Sequence, residues 1–209
     1  MREQIKLLQN IVSRKGSSKV LTFSIPHVFK ALQLLYLDKF VSRAKLCKEL
    51  HLGEGAIKTL ILHLKEAKMV DTAKSGTYLT LKGRKFSESL NKVITNECKL
   101  NKSKIAQGKY NHAIILKNYA YAIKTGIEQR DFAILYGSSG CITLLYKNNQ
   151  FIFPGEGGDC LEDDPTTRKK LCENLYPEQG DVIIISSSDD FFVAEVSAKN
   201  SALWTLATN

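Results

Sequence analysis

The chain lacks most of what would tie it to a membrane, an oxidising compartment or a metal. Its longest apolar runs, such as Val182-Ile183-Ile184-Ile185, fall far short of the roughly 20 residues that span a bilayer. The N-terminus, Met1-Arg2-Glu3-Gln4-Ile5-Lys6, has no apolar core of the signal-peptide kind. These absences predict a cytoplasmic protein with no membrane partner. Cysteine is sparse: Cys47, Cys98, Cys141, Cys160 and Cys172 are widely spaced, odd in number and free of any C-x-x-C pair. That argues against a disulfide framework or a zinc knuckle and predicts reduced, mostly buried thiols. His27, His51, His63 and His112 are likewise scattered, none paired with Cys or Asp at ligand spacing. No metal or cofactor is expected. Internal repeats and low-complexity tracts are also missing.

What the chain does have is length for two small cores and a lopsided charge. Its 209 residues, 44% hydrophobic and 24% charged, are those of an ordinary globular protein of two domains. The net charge of +9 is not evenly spread: residues 1–104 hold 21 Lys+Arg against 8 Asp+Glu, whereas 105–209 hold 9 against 13. One half is thus +13 and the other −4. A polycation joined to a mildly acidic half suggests a nucleic-acid-binding module beside one with another task.

The basic half is organised around residues 42–82. An apolar helix over 2–13 (Ile5, Leu8, Ile11, Val12) leads through the basic loop 14–19 to a strand-like Val20-Leu21-Thr22-Phe23-Ser24. That first helix either contacts a second copy or docks on its own domain. Pro26 suits the first turn of a helix over 27–39. Ser42 is a good N-cap for Arg43 to Leu50. After the turn His51-Leu52-Gly53, residues 54–68 form a third helix with Ile57, Leu60, Ile61 and Leu64 inward. Asp71 to Thr80 reads as two short strands about a Ser75-Gly76 turn, and a helix to about Ile94 closes the module.

Helix, turn, helix, hairpin is the outline of a winged helix-turn-helix, in which the second helix enters the major groove. The inward stripe leaves Gly55, Ala56, Lys58, Thr59, Leu62 and His63 toward solvent or a ligand. Lys58 suits a guanine edge or a phosphate, and Thr59 a phosphate or a thymine methyl. The candidate DNA contacts are therefore Ser42, Arg43, Lys45, Gly55, Ala56, Lys58, Thr59, His63, Lys74 and Ser75, the last two at the hairpin tip.

The string Gly-Glu-Gly-Ala-Ile-Lys-Thr-Leu-Ile-Leu-His-Leu-Lys-Glu-Ala at 53–67, then Gly76 and Leu79-Thr80-Leu81-Lys82-Gly83, resembles prokaryotic, especially archaeal, winged-helix transcriptional regulators over about residues 26–95. The resemblance implies duplex-DNA binding, and a homodimer is expected because one winged helix covers about one half-site and palindromic operators mirror two-fold proteins. Two positions depart from the family pattern. Lys58 stands where arginine is common, which weakens bidentate guanine recognition, and Leu62 stands where a polar residue is usual.

The polar, basic stretch 96–110 reads as the boundary, giving a DNA-binding domain at 1–97 and a second domain at 98–209. The second begins with a strand at 112–116, followed by helical segments to about 134. A hairpin comes next (141–146 and 150–153), then a helix from Asp164-Pro165 to Leu175, a strand at 181–186 and a terminal helix. The expectation is an α+β chain whose second domain is a sandwich of helices on a small mixed sheet. This tail also resembles an uncharacterised archaeal domain found behind winged helices, without a known activity. Glu128, Arg130 and Asp131 form a charged cluster suited to a polar metabolite, or to a structural ion pair. Gly137-Ser138-Ser139-Gly140 offers backbone N–H groups to an anion, or is a plain turn. The candidate ligand residues are thus Glu128, Arg130, Asp131, Ser138 and Ser139. No catalytic set is recognisable, so a non-enzymatic regulator is expected, with a tail that senses a small effector or mediates oligomerisation. The rival readings are a metabolite-handling enzyme domain fused to a winged helix, and a protein-interaction module.

Overall fold

The computed structural model describes residues 1–13 and 21–208 and divides into two compact units, 1–90 and 91–209. The basic loop 14–19 and Val20 lie outside the described residues. The division falls earlier than residue 97, because 94–100 is a strand of the second unit's sheet. Each unit is taken by itself.

In the first unit, α1 (Arg2–Ile11) buries Ile5, Leu8 and Ile11 on one face and packs against α2 (Ile25–Leu37). Fully burying each such side chain stabilises by about 1.5–3 kcal/mol, so this apolar face is satisfied within its own unit. Leu21 to Ser24 is not a strand. It leads into α2, where the Ser24 N–H donates to His27 Nδ1 at 3.4 Å and the Ser24 hydroxyl lies 2.8 Å from the same nitrogen. Ser42 caps α3 (Arg43–Leu50) by accepting from the Lys45 N–H at 3.1 Å. His51, in the left-handed region at φ 52°, turns the chain toward α4 (Glu54–Glu66).

Strands β1 (Val70–Ala73) and β2 (Gly76–Leu79) pair antiparallel, with Ala73 opposite Gly76, so Lys74 and Ser75 form the tip. Val41 and Thr77 exchange N–H···O bonds of 2.9 Å, tying the segment before α3 to the hairpin. Gly76 permits this: its φ is +133°, and a Cβ would lie 2.7 Å from the Val41 carbonyl oxygen. α5 (Leu81–Asn91) then docks through Gly83, where a Cβ would run into the Met69 carbonyl.

The second unit is a five-stranded sheet in the order β3-β4-β7-β5-β6, built of β3 (Ile94–Leu100), β4 (Tyr110–Leu116), β5 (Gly140–Lys147), β6 (Gln150–Ile152) and β7 (Val182–Ser188). Every pairing is antiparallel, so the expectation of a mixed sheet is corrected. Helix α7 (Pro165–Leu175) covers one face, with Ala113, Ile115, Leu144, Ile183 and Ile185 beneath it. Helices α6 (Ile127–Ile134) and α8 (Phe191–Thr208) cover the other. With both faces covered, β4 and β7 read as continuous apolar runs rather than alternating ones. The α6–α8 side is polar for an interior: Gln129, Thr143, Ser186, Ser197, Lys199, Asn200, Ser201 and Thr205 are all buried. Among the described residues the whole chain is α+β, with eight α-helices and two antiparallel sheets, and no helix is long and apolar enough to cross a membrane.

Candidate functional site

A groove of about 520 Å³ runs between α4 and the β1–β2 hairpin. Arg43 from α3, Lys58 and Lys65 from α4, and Lys74 from the hairpin tip line it, with Ser42, Thr72 and Ser75 between them and Ile61 and Leu62 on its floor. No acidic side chain is among its lining residues. The helical period explains the α4 contribution. Lys58, Leu62 and Lys65 stand at i, i+4 and i+7 on one face, opposite the stripe Ile57, Leu60 and Leu64 that is sealed in the core. Lys65 is partly spoken for, pairing with Asp71 at 2.9 Å and donating to Thr72 at 3.2 Å.

Five of the ten residues put forward as DNA contacts therefore meet at one groove: Ser42, Arg43, Lys58, Lys74 and Ser75. The others do not. Lys45 is held by Asp38 at 2.6 Å, a hydrogen bond that raises its pKa. Thr59 turns its hydroxyl back to the Gly55 carbonyl at 3.1 Å, and Gly55 is open to solvent. Ala56, half-buried, does not line the groove. His63 corrects the expectation outright. It is 8% exposed, with Nδ1 2.6 Å from the Ile11 carbonyl oxygen and its ring edge-on to Phe23. The carbonyl that meets its ring belongs to Ile11, the last residue of α1. Lys65 was missed, although its spacing from Lys58 was readable.

The second unit separates the five candidate ligand residues. Ser139 lines a hollow of about 660 Å³ with Lys104, Lys109 and Asp189, whereas Arg130 lines a smaller one of about 220 Å³ with Glu156. Cys141, Ile142 and Phe153 wall both. The loop at 137–140 does not present a cradle of free N–H groups. Gly137, Ser139 and Gly140 donate to the Ile134 carbonyl, the Ser187 carbonyl and the Ser138 hydroxyl, and both serine hydroxyls bond to Ser187 O. It is a turn knitted to β7. Arg130 meets Asp131 at 3.3 Å, both more than half exposed, a contact worth little. Glu128 is exposed and lines neither hollow.

Elsewhere in the unit the charges point inward. Lys199 of α8 is fully buried and holds Glu97 of β3 through both carboxylate oxygens, with Glu195 at 3.4 Å. His112 of β4 adds a 2.9 Å contact to Glu97. Burial alone would push the Glu97 carboxyl up, but the Lys199 ammonium and the His112 bond outweigh it and hold it well below the usual carboxylate range. Asp181 is 0% exposed and takes Lys117 at 2.6 Å. Asp159 binds Arg168 and accepts from the Phe151 and Leu161 N–H groups. Burial pushes the thiols of Cys98 and Cys160 up to about 11 and that of Cys141 to about 12. They are poor nucleophiles at neutral pH. Among the described residues no group of three or more His, Cys, Asp or Glu is arranged to hold a metal ion.

Residues 107–206 match a family described as a domain of unknown function, DUF4443. The chain is also similar to a solved structure, the hypothetical protein PH0730 from Pyrococcus horikoshii OT3. The two are 26% identical with a TM-score of 0.71, over 90% of this chain and 95% of that one. No curated protein matches.

Proposed function

We propose that the chain is a DNA-binding transcriptional regulator whose first unit is a winged helix-turn-helix and whose second unit senses a small effector. The observation that carries this reading is the groove beside α4, ringed by Arg43, Lys58, Lys65 and Lys74 with no acid among its lining residues. A cleft of one sign focuses the field on a polyanion. Here α4 is the helix that would lie in the major groove, and the β1–β2 tip would reach the adjacent backbone. The unit-wise charge supports it: residues 1–90 hold 17 Lys+Arg against 7 Asp+Glu, a net +10, and residues 91–209 hold 13 against 14, a net −1. One such module covers about one half-site, so the reading includes a homodimer on a two-fold operator.

The test is an anisotropy titration of the full chain against random duplex DNA at 50 and 200 mM salt. The expected result is steep weakening as counterions are released, with Lys58→Ala/Lys74→Ala reducing the slope of log K against log[salt] by about two. Salt-independent binding, or a slope unmoved by the double variant, would sink the reading.

A further inference from the structure

The second unit carries an apolar face that its own fold leaves open. Helix α6 buries Gln129 and Ala133 and turns Ile127, Ile134 and, just past its end, Leu135 to solvent. These three are 54%, 47% and 76% exposed. Ile127 and Ile134 are seven residues apart, so they stand in one line along the helix axis. Apolar side chains exposed singly are ordinary, but several on one face mark a contact surface.

The charges beside that line say what covers it. At about 3.6 residues per turn, Arg130 and Asp131 stand roughly 50° to either side of the isoleucines. Both are more than half exposed. One flank of α6 is thus a cation and the other an anion, at nearly the same height, and such a face complements itself. When two of these helices pack in parallel about a two-fold axis, the cationic flank of each meets the anionic flank of the other. Antiparallel packing about a perpendicular two-fold sets Arg130 against Arg130 and Asp131 against Asp131, which is repulsive.

We propose that α6 is the contact between two copies of this chain, packed in parallel about a two-fold axis. Ile127 and Ile134 each meet their own counterpart, and Arg130 reaches the partner's Asp131 on both sides of that line. In the single chain Arg130 turns back to its own Asp131 at 3.3 Å, in water. Association gives each guanidinium a second carboxylate and dries the pair. The first unit offers no comparable face. Leu37 and Leu81 there are 80% and 83% exposed, but cations stand beside them: Lys39 lies over the Phe40 ring at 5.8 Å and Arg84 over the Tyr36 ring at 5.3 Å. A second copy at that surface would bring like charges together, in a unit whose net charge is already +10. The inference rests on the homodimer of the proposed function, which it assigns to the second unit, and is independent of the groove.

The test is sedimentation equilibrium of the full chain and its variants, with Tm measured for each. The wild type sediments as a dimer. Ile134→Ser and Arg130→Asp each raise the dimer dissociation constant about tenfold or more. Both leave Tm of the second unit unchanged, because the side chains are about half exposed. The exchange Arg130→Asp/Asp131→Arg restores the wild-type constant, since it swaps the two flanks and keeps their match. Ile134→Cys forms, on treatment with diamide, a cross-link between copies that the wild type does not form, because parallel packing sets this residue against its own counterpart. A monomeric wild type, a dimer indifferent to Ile134→Ser, an exchange variant no tighter than Arg130→Asp, or no cross-link at Ile134→Cys each overturns the inference. The DNA titration run alongside separates the two readings. DNA binding by a chain that stays monomeric sinks this interface and not the groove, and a dimer with these properties that binds no DNA sinks only the groove.

Discussion

The two units handle charge in opposite ways. In the first, Arg43, Lys58 and Lys74 stand exposed around an open groove, and none of the three forms a salt bridge among the described residues. In the second, Lys199 is sealed under α8 against Glu97 and Glu195, and Asp181 is sealed against Lys117. An exposed ion contributes little to folding but is available to a partner. A buried ion is spent on the fold, and removing its counter-charge is costly. On the proposed reading the net +10 of residues 1–90 serves a partner, whereas the near-neutral 91–209 conceals charges that are structural.

The largest effect expected from this contrast is on stability. Lys199→Met leaves Glu97 and Glu195 facing each other without a cation, and unfolding of the second unit in urea should lose about 3–5 kcal/mol. Lys58→Ala should change the stability of the first unit by less than about 0.5 kcal/mol. If the two substitutions cost the same, the division between structural and available charge fails.

Acid should separate the units next. Burial and then the nearby Lys30 charge lower His27 from 6.5 to about 4. Between those values the unfolded chain takes up a proton that the folded one refuses, so stability falls on acidification through that window. The cost to the first unit is about 2 kcal/mol by pH 5. Only below about 4, where the folded ring itself protonates, does the Ser24 N–H lose its acceptor. Glu97 runs lower. Its carboxyl is held below the ordinary 4.5, so its contribution is complete above that value and is lost only at more acidic pH. Amide exchange at pH 7, 5.5 and 4.5 should show protection failing first in residues 1–90. Failure in the second unit first, or a His27→Gln variant with the same pH profile, would break the ordering.

Much of this was legible in the sequence where local pattern decides. The stripe Ile57, Leu60, Ile61, Leu64 placed α4, and the Ser75-Gly76 turn placed the hairpin, because both signals are complete within a few residues. What failed depended on distant partners. Residues 96–100 looked like part of a polar boundary because Asn96, Glu97 and Lys99 break any apolar pattern. Lys99 does stay exposed, whereas Glu97 is half-buried against Lys199, 102 residues later. His63 read as exposed because nothing near it announces that the Ile11 carbonyl, 52 residues earlier, receives its ring.

The smallest expected effect concerns Leu62, which is 54% exposed between Lys58 and Lys65 on the groove-facing side of α4. A half-exposed leucine costs the free chain something in hydration, and polar residues there would serve phosphate contacts better. Its value to a DNA-bound state would be an apolar contact with a thymine methyl, the one hydrophobic feature of the major groove. One buried methyl is worth about 0.8 kcal/mol, which is about a fourfold change in affinity. Leu62→Ala should therefore weaken binding about fourfold on duplexes with thymine at the contacted step. It should leave the salt slope unchanged, since no charge is lost. Replacing those thymines by uracil, which lacks the methyl, should reproduce the loss in the wild type and add nothing in the variant. If uracil duplexes weaken both proteins equally, Leu62 does not touch the methyl, and the exposed stripe of the first unit works through charge alone.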